Sequence, residues 1–167
     1  MGPSNVAVTS VETFESGTDL LVRCKELRPD SGGPGQFRGG IGQRIEIQNR
    51  SAWPAVAACF GNPTAFPAAG YLGGRPGALR ELRIEDKPVH PKGRHVLYPG
   101  EQVLLPGQAL TLLDAGAGGF GNPLTRQLER VVADVREGYV SPEAARRDYG
   151  VEVETSRWVG RRLAADL

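Results

Sequence analysis

The chain has 167 residues, with 20 Lys and Arg against 19 Asp and Glu, so its near-neutral balance gives no electrostatic case for nucleic acid or an anionic membrane surface. No apolar run has the length of a membrane span, and Met1-Gly2-Pro3-Ser4-Asn5 carries neither a signal-peptide pattern nor a myristoylation signal. Two cysteines, 23 glycines and 13 prolines predict free buried thiols, a cytoplasmic address, one domain, and many turns between short strands.

Val6 to Phe14 alternates Val6, Val8 and Val11 with Thr and Ser, which predicts a strand with an open edge. Asp19 to Leu27 follows as a stronger strand. The chain then enters a first glycine loop, Arg28-Pro29-Asp30-Ser31-Gly32-Gly33-Pro34-Gly35-Gln36-Phe37-Arg38-Gly39-Gly40-Ile41-Gly42. Its glycines and prolines exclude a helix or a regular strand, and its specific side chains exclude a linker. It reads as an ordered loop held by an Arg–Asp clamp, or as an anion cradle in which backbone N–H groups point at a phosphate. It is not a P-loop, because no Gly-Lys-Ser/Thr follows.

Gln43 to Gln48 alternates Ile45 and Ile47 with charged residues, as a half-buried strand does. Ala55 to Phe60 is a continuous apolar run, the pattern of a strand buried on both faces, and Gly61-Asn62-Pro63 ends it. A second glycine loop contains Gly73-Gly74-Arg75-Pro76-Gly77. Strands are expected at Leu79–Glu85, Val96–Tyr98, Val103–Leu105 and Ala109–Leu113, before a third loop, Ala115 to Pro123. There the period changes from two to 3.6: Leu124, Leu128, Val131, Val132 and Val135 share one helical face, opposite Arg126, Glu129, Arg130, Asp134 and Arg136. Asn122-Pro123 suits the start of that helix and Gly138 its end. Ser141-Pro142-Glu143 starts a second helix closing at Tyr149-Gly150, and after a short strand from Val151 an amphipathic helix is expected from Ser156. The fold class is therefore α+β: a β-rich body of short, mostly antiparallel strands over residues 1–122, and a helical segment over 123–167 packed on it.

Few residues carry reaction chemistry. His90 and His95 flank a Pro-Gly stretch that cannot be helical, so they are read as loop histidines rather than zinc ligands. Ser31 lacks the Gly-x-Ser-x-Gly frame of a nucleophile. Asp114 ends a strand, where turn capping outweighs a general-base role. Trp53 and Trp158 read as core or interface anchors. The composite site worth raising is a convergence of the glycine loops, with Arg28, Asp30, Arg38 and Arg75 as anion-binding or loop-bracing candidates. No catalytic residue and no metal ligand is assigned.

The first loop, from Leu27 to Gly40, resembles the signature of the hydantoinase B/oxoprolinase family. Gly73-Gly74-Arg75-Pro76-Gly77 resembles that family's middle loop. Gly116-Ala117-Gly118-Gly119-Phe120-Gly121-Asn122-Pro123-Leu124, with Val132 to Ala145, resembles its closing helical signature. The three motifs stand in register from about Val11 to Val153, with Asn122 where many relatives have Asp.

The resemblance implies a place among N-methylhydantoinases, 5-oxoprolinases and biotin-independent acetone and acetophenone carboxylases, which use ATP to activate a carbonyl compound or bicarbonate. It implies hydantoinase A-like and B-like large subunits as partners in a hetero-oligomer, with ATP, Mg and a divalent metal held by those partners and no cofactor bound by this chain. Only the C-terminal part of a B-type chain is matched, as in the small subunit of an acetophenone carboxylase. The segment Asn5 to Glu15 is expected to pair as a strand with the missing part.

Overall fold

A computed structural model describes residues 10–59, 65–89 and 100–163. The fold is α+β, with small, mostly antiparallel sheets followed by helices. The N-terminal segment corrects the sequence expectation. Val11–Ser16 is a short helix, α1, not a strand; Ser10 caps it by accepting the Thr13 N–H, and Glu12 lies in its first turn. A cap of this kind satisfies an otherwise orphan amide, and here it outweighs the alternating pattern.

Strands β1 (Leu20–Leu27), β2 (Gln43–Asn49), β3 (Ala55–Cys59), β4 (Glu81–Ile84), β5 (Lys87–Pro88), β6 (Gly100–Leu104) and β7 (Ala109–Leu113) form two sheets. The larger has the order β1-β2-β7-β4-β5, and β3 pairs with β6 as a separate antiparallel ribbon. Alternation seats Leu82, Leu110 and Leu112 of the large sheet against Leu104, Ala55 and Ala57 of the ribbon, and these form one apolar core. The expectation that β3 is buried on both faces is not met in this chain: Ala55, Ala57 and Cys59 face the core, but Val56 is 65% exposed. Cys24 and Cys59 are free thiols and only partly buried.

After the third loop, a 3-10 turn at Pro123–Thr125 is capped by Asn122, whose side chain accepts the Leu124 N–H. Helices α2 (Leu128–Arg136) and α3 (Pro142–Tyr149) follow. Ser141 caps α3 by accepting the Ala144 N–H, and Gly150 closes it in the left-handed conformation, φ 60°. The short strand expected from Val151 is β8 (Val151–Glu154), but the helix expected from Ser156 is instead a strand, β9 (Val159–Arg162), which pairs with β8 as a hairpin. Its glycine explains this. A Cβ at Gly160 would stand 2.6 Å from Val132 Cγ2 of α2, so the segment lies flat against that helix as backbone. Val131, Val135, Val140, Ala145, Tyr149 and Val151 form the second core.

The two tryptophans are not core residues: Trp53 is 77% and Trp158 42% exposed. His90, His95, the Gly61-Asn62-Pro63 turn, the Val96–Tyr98 strand and the start of the expected N-terminal strand lie outside the described residues. Among the described residues no helix is long and apolar enough to cross a membrane.

Candidate functional site

The three glycine loops meet one another and are joined by backbone hydrogen bonds. Loop 1 joins loop 3 through Gly33 N–H to Ala117 O (2.8 Å), Ala117 N–H to Gly40 O (2.9 Å) and a reciprocal pair between Phe37 and Phe120 (2.9 Å each). Loop 2 joins both others: Arg75 N–H donates to Pro34 O (2.7 Å), Gly119 N–H to Arg75 O (2.9 Å) and Tyr71 N–H to Gly119 O (2.9 Å). Side chains have no room in this junction. A Cβ on Gly39, Gly74, Gly116 or Gly119 would overlap a backbone carbonyl of a neighbouring loop. The glycines serve close approach of backbone to backbone. The amides of Gly33, Tyr71, Arg75, Ala117, Gly119 and Phe120 thus point at carbonyl oxygens of neighbouring loops.

Ser31 is wholly buried. Its Oγ donates to Arg28 O at 2.6 Å and accepts from Gly42 N–H at 2.9 Å, which pins the two ends of loop 1 together. A hydroxyl so occupied holds a turn rather than attacking a carbonyl. Asp114 accepts from Arg80 at 2.7 Å and from the Ala115 N–H at 3.0 Å, so it anchors the entrance to loop 3. Cys59 is a poor nucleophile, because burial pushes its thiol pKa up against the opposing pull of Arg80.

The four candidates separate onto different partners. Arg28 donates to two carbonyls, Leu79 O at 2.8 Å and Asp114 O at 3.0 Å. Arg38 reaches across to Asp134 of α2 at 3.2 Å, donates to Gly39 O, and lies 5.3 Å from the centre of the Tyr139 ring. Arg75 meets Asp148 of α3 at 2.7 Å. Asp30 has φ 58°, a conformation Asp tolerates, and its carboxylate accepts the Ser141 N–H at 2.7 Å just before α3. These contacts tie loops 1 and 2 to the two helices.

The carboxylates that receive these arginines were missed in the sequence. Asp134 is nearly buried and also binds Arg126 at 2.8 Å, itself buried and donating to Gln36 O. The sequence pattern places Arg126 and Asp134 on the outer face of one helix starting at Pro123; the structure instead starts α2 at Leu128, leaves Arg126 at the end of the 3-10 turn, and buries both side chains. One signal was available: Asp134 lies between Val131 and Val135 in a helix whose inner face they define. The aromatic cluster was also missed. Loop 1 supplies Phe37, loop 2 Tyr71 and loop 3 Phe120, with ring centroids 6.1 and 6.0 Å from Phe120, and all three rings are exposed. Among the described residues no group of three His, Cys, Asp or Glu side chains could hold a metal ion.

Comparison with known proteins is consistent across sequence and structure. A family model described as hydantoinase B/oxoprolinase matches residues 1–123. The chain is 34% identical to the beta chain of the caprolactamase of Pseudomonas jessenii, over 86% of this chain and 25% of that protein. A crystal structure of the ATP-dependent caprolactamase from the same organism superposes with a TM-score of 0.70 at 30% identity, over 88% of this chain and 26% of the other. The B chain of a putative D-/L-hydantoinase of Pseudomonas sp. strain NS671 is 29% identical, over 92% of this chain and 26% of that protein. The alpha chain of the acetone carboxylase of Xanthobacter autotrophicus is 28% identical, over 86% and 22%. The chain spans about a quarter of the length of these relatives.

Proposed function

The chain belongs to the hydantoinase B/oxoprolinase family, and on that premise we propose that it supplies the glycine-loop part of the B-type half of a multisubunit, ATP-dependent enzyme. The observation that carries the reading is the locked loop junction together with the match to subunits of caprolactamase, hydantoinase and acetone carboxylase. The chain's own contribution is shape. A junction fixed by backbone hydrogen bonds, braced by Arg28, Arg38 and Arg75, gives a wall that does not rearrange. Phosphorylated intermediates hydrolyse readily, so such a wall serves a chamber that excludes water. ATP, Mg and a divalent metal belong, in this reading, to hydantoinase A-like and B-like large subunits, and the chain acts in the cytoplasm.

The finer proposal is a biotin-independent carboxylase of the acetophenone carboxylase kind, in which this chain is the small subunit of the complex. A ketone enol and bicarbonate are then both phosphorylated before the carbon–carbon bond forms. A second reading, ATP-driven opening of a lactam or hydantoin ring, is favoured by the higher identity to the caprolactamase chain, 34% against 28% for acetone carboxylase. The assembled complex distinguishes them. A carboxylase turns over ATP only when bicarbonate is supplied with a ketone. ATP turnover that depends on a lactam or hydantoin and ignores bicarbonate establishes ring opening, and absence of ATP turnover with every such substrate rejects the proposal.

A further inference from the structure

The β3–β6 ribbon presents a surface that its sequence does not explain in isolation. In an antiparallel ribbon with one wet face, outward positions are polar. Here Val56 and Val103 stand directly opposite each other on the outer face, 65% and 56% exposed, and Leu105 beyond them is 51% exposed. Ala58, paired with Glu101, completes that face, so its one charge lies at one end. Trp53, at the entrance to β3, is the most exposed of the large apolar side chains among the described residues. Its backbone is fixed all the same: Asn49, wholly buried, donates to both Trp53 O and Leu104 O at 2.9 Å. The apolar outer face is therefore held in place at one end.

The inner side is only partly filled. It meets the large sheet through Leu104 and the small side chains Ala55, Ala57 and Cys59, and a hollow of about 440 Å³ remains beside them, lined also by Ile47, Leu82 and Leu112. A two-stranded ribbon is marginal by itself. This one has one face loosely supported and the other bare.

We propose that the outer face of β3–β6 is the surface on which a further part of the B-type polypeptide packs, as a third layer over Val56, Val103 and Leu105. The proposal rests on the B-type reading above. The occupant follows from two observations. The continuous apolar run Ala55 to Cys59 is that of a strand covered on both sides, and the described residues cover only one. The matched relatives also carry about three quarters of their length outside the region this chain matches. A covered apolar face of this kind is a cut through a core rather than a transient contact.

The test uses the full chain produced together with the long hydantoinase B-type protein of its own organism. Val56→Thr/Val103→Glu places one carboxylate in the middle of that face without setting like charges opposite each other; both residues are exposed, so the circular dichroism and melting curve should stay close to those of the parent chain. The expected result is an affinity for the long protein at least about tenfold weaker, because a charge entering an apolar contact loses its hydration without a partner. Hydrogen exchange on the unmutated complex gives an independent reading, with amides of residues 55–59 and 100–104 slowed on association. Unchanged affinity of the double variant, or ribbon amides that exchange as in the free chain, overturns the assignment. A chain that dimerises through Val103, shown by sedimentation before and after Val103→Glu, assigns the face to a second copy and also overturns it. Failure of the parent chain to bind the long protein at all rejects the B-type reading instead.

Discussion

The loop junction and the β3–β6 ribbon solve the same problem, joining distant segments, by opposite means. At the junction three loops touch through carbonyls and amides, and glycine is required because any side chain would occupy the space of a neighbouring backbone. At the ribbon the backbone pairing is ordinary and side chains make the seat, with one apolar face covered and one bare. The first leaves no space for an added atom at Gly39, Gly74, Gly116 or Gly119. The second is tolerant in the isolated chain and gains its meaning from a neighbour.

The sharpest way to break that contrast is to add one methyl group at the junction. A Cβ on Gly116 would overlap Ser31 O, a backbone atom that cannot swing aside. Gly116→Ala is expected to cost about 4 kcal/mol or more of unfolding free energy, because three loops must separate to relieve it. Gly107→Ala serves as the control: its φ is +83° but nothing lies near its Cβ, so only the left-handed penalty of about 1–2 kcal/mol applies. On the ribbon, Val103→Thr in the isolated chain should stay within about 0.5 kcal/mol of the parent. Urea unfolding of the three variants ranks them, and equal losses would erase the distinction between junction and ribbon.

Much of the framework is legible from residues near one another in sequence. Strands β2, β4 and β7 follow from period-two alternation, and α3 from Ser141, Pro142 and Gly150. What is illegible depends on distant neighbours. The Phe37, Tyr71 and Phe120 cluster exists only because three separated loops interlock. The tail forms a hairpin rather than a helix because Gly160 must lie against Val132. At α1 the signal was local but divided, with an alternating pattern read ahead of the Ser10 cap.

A second test asks how the helices hold the junction. Asp134 is the shared acceptor of Arg38 and Arg126, with side chains only 15% and 8% exposed. Asp134→Ala leaves two guanidiniums without their carboxylate in a place water barely reaches, at an expected cost of about 3–5 kcal/mol. The surface pair Arg161 and Glu152, by contrast, is open to solvent, with Arg161 77% exposed. Arg161→Ala should change stability by at most about 1 kcal/mol, and less in high salt. A small loss at Asp134, measured by the same urea titration, would mean the glycine loops hold themselves and the helices merely lie alongside.

The smallest expected effect concerns Tyr149, whose ring fills the second core beside this ion network. Its Oη is buried and has no hydrogen-bond partner among the described residues. Burial pushes the phenol pKa up to about 12, with Arg126 pulling the other way. Between pH 10, the ordinary value for an unfolded tyrosine, and pH 12 the unfolded chain gives up this proton while the folded chain keeps it. Fewer protons on the unfolded state means stability falls as pH rises through that window, and the contribution is fully present below about pH 10. Tyr149→Phe removes an oxygen that gains nothing by burial, so stability at about pH 7 should shift by less than about 1 kcal/mol, in the favourable direction if at all. The same variant should flatten part of the alkaline decline, since the phenol that loses its proton on unfolding is gone. A clear destabilisation at neutral pH would instead reveal that the hydroxyl joins the Arg38–Asp134–Arg126 network, and the loop junction would then be braced by one more hydrogen bond than the geometry assigns.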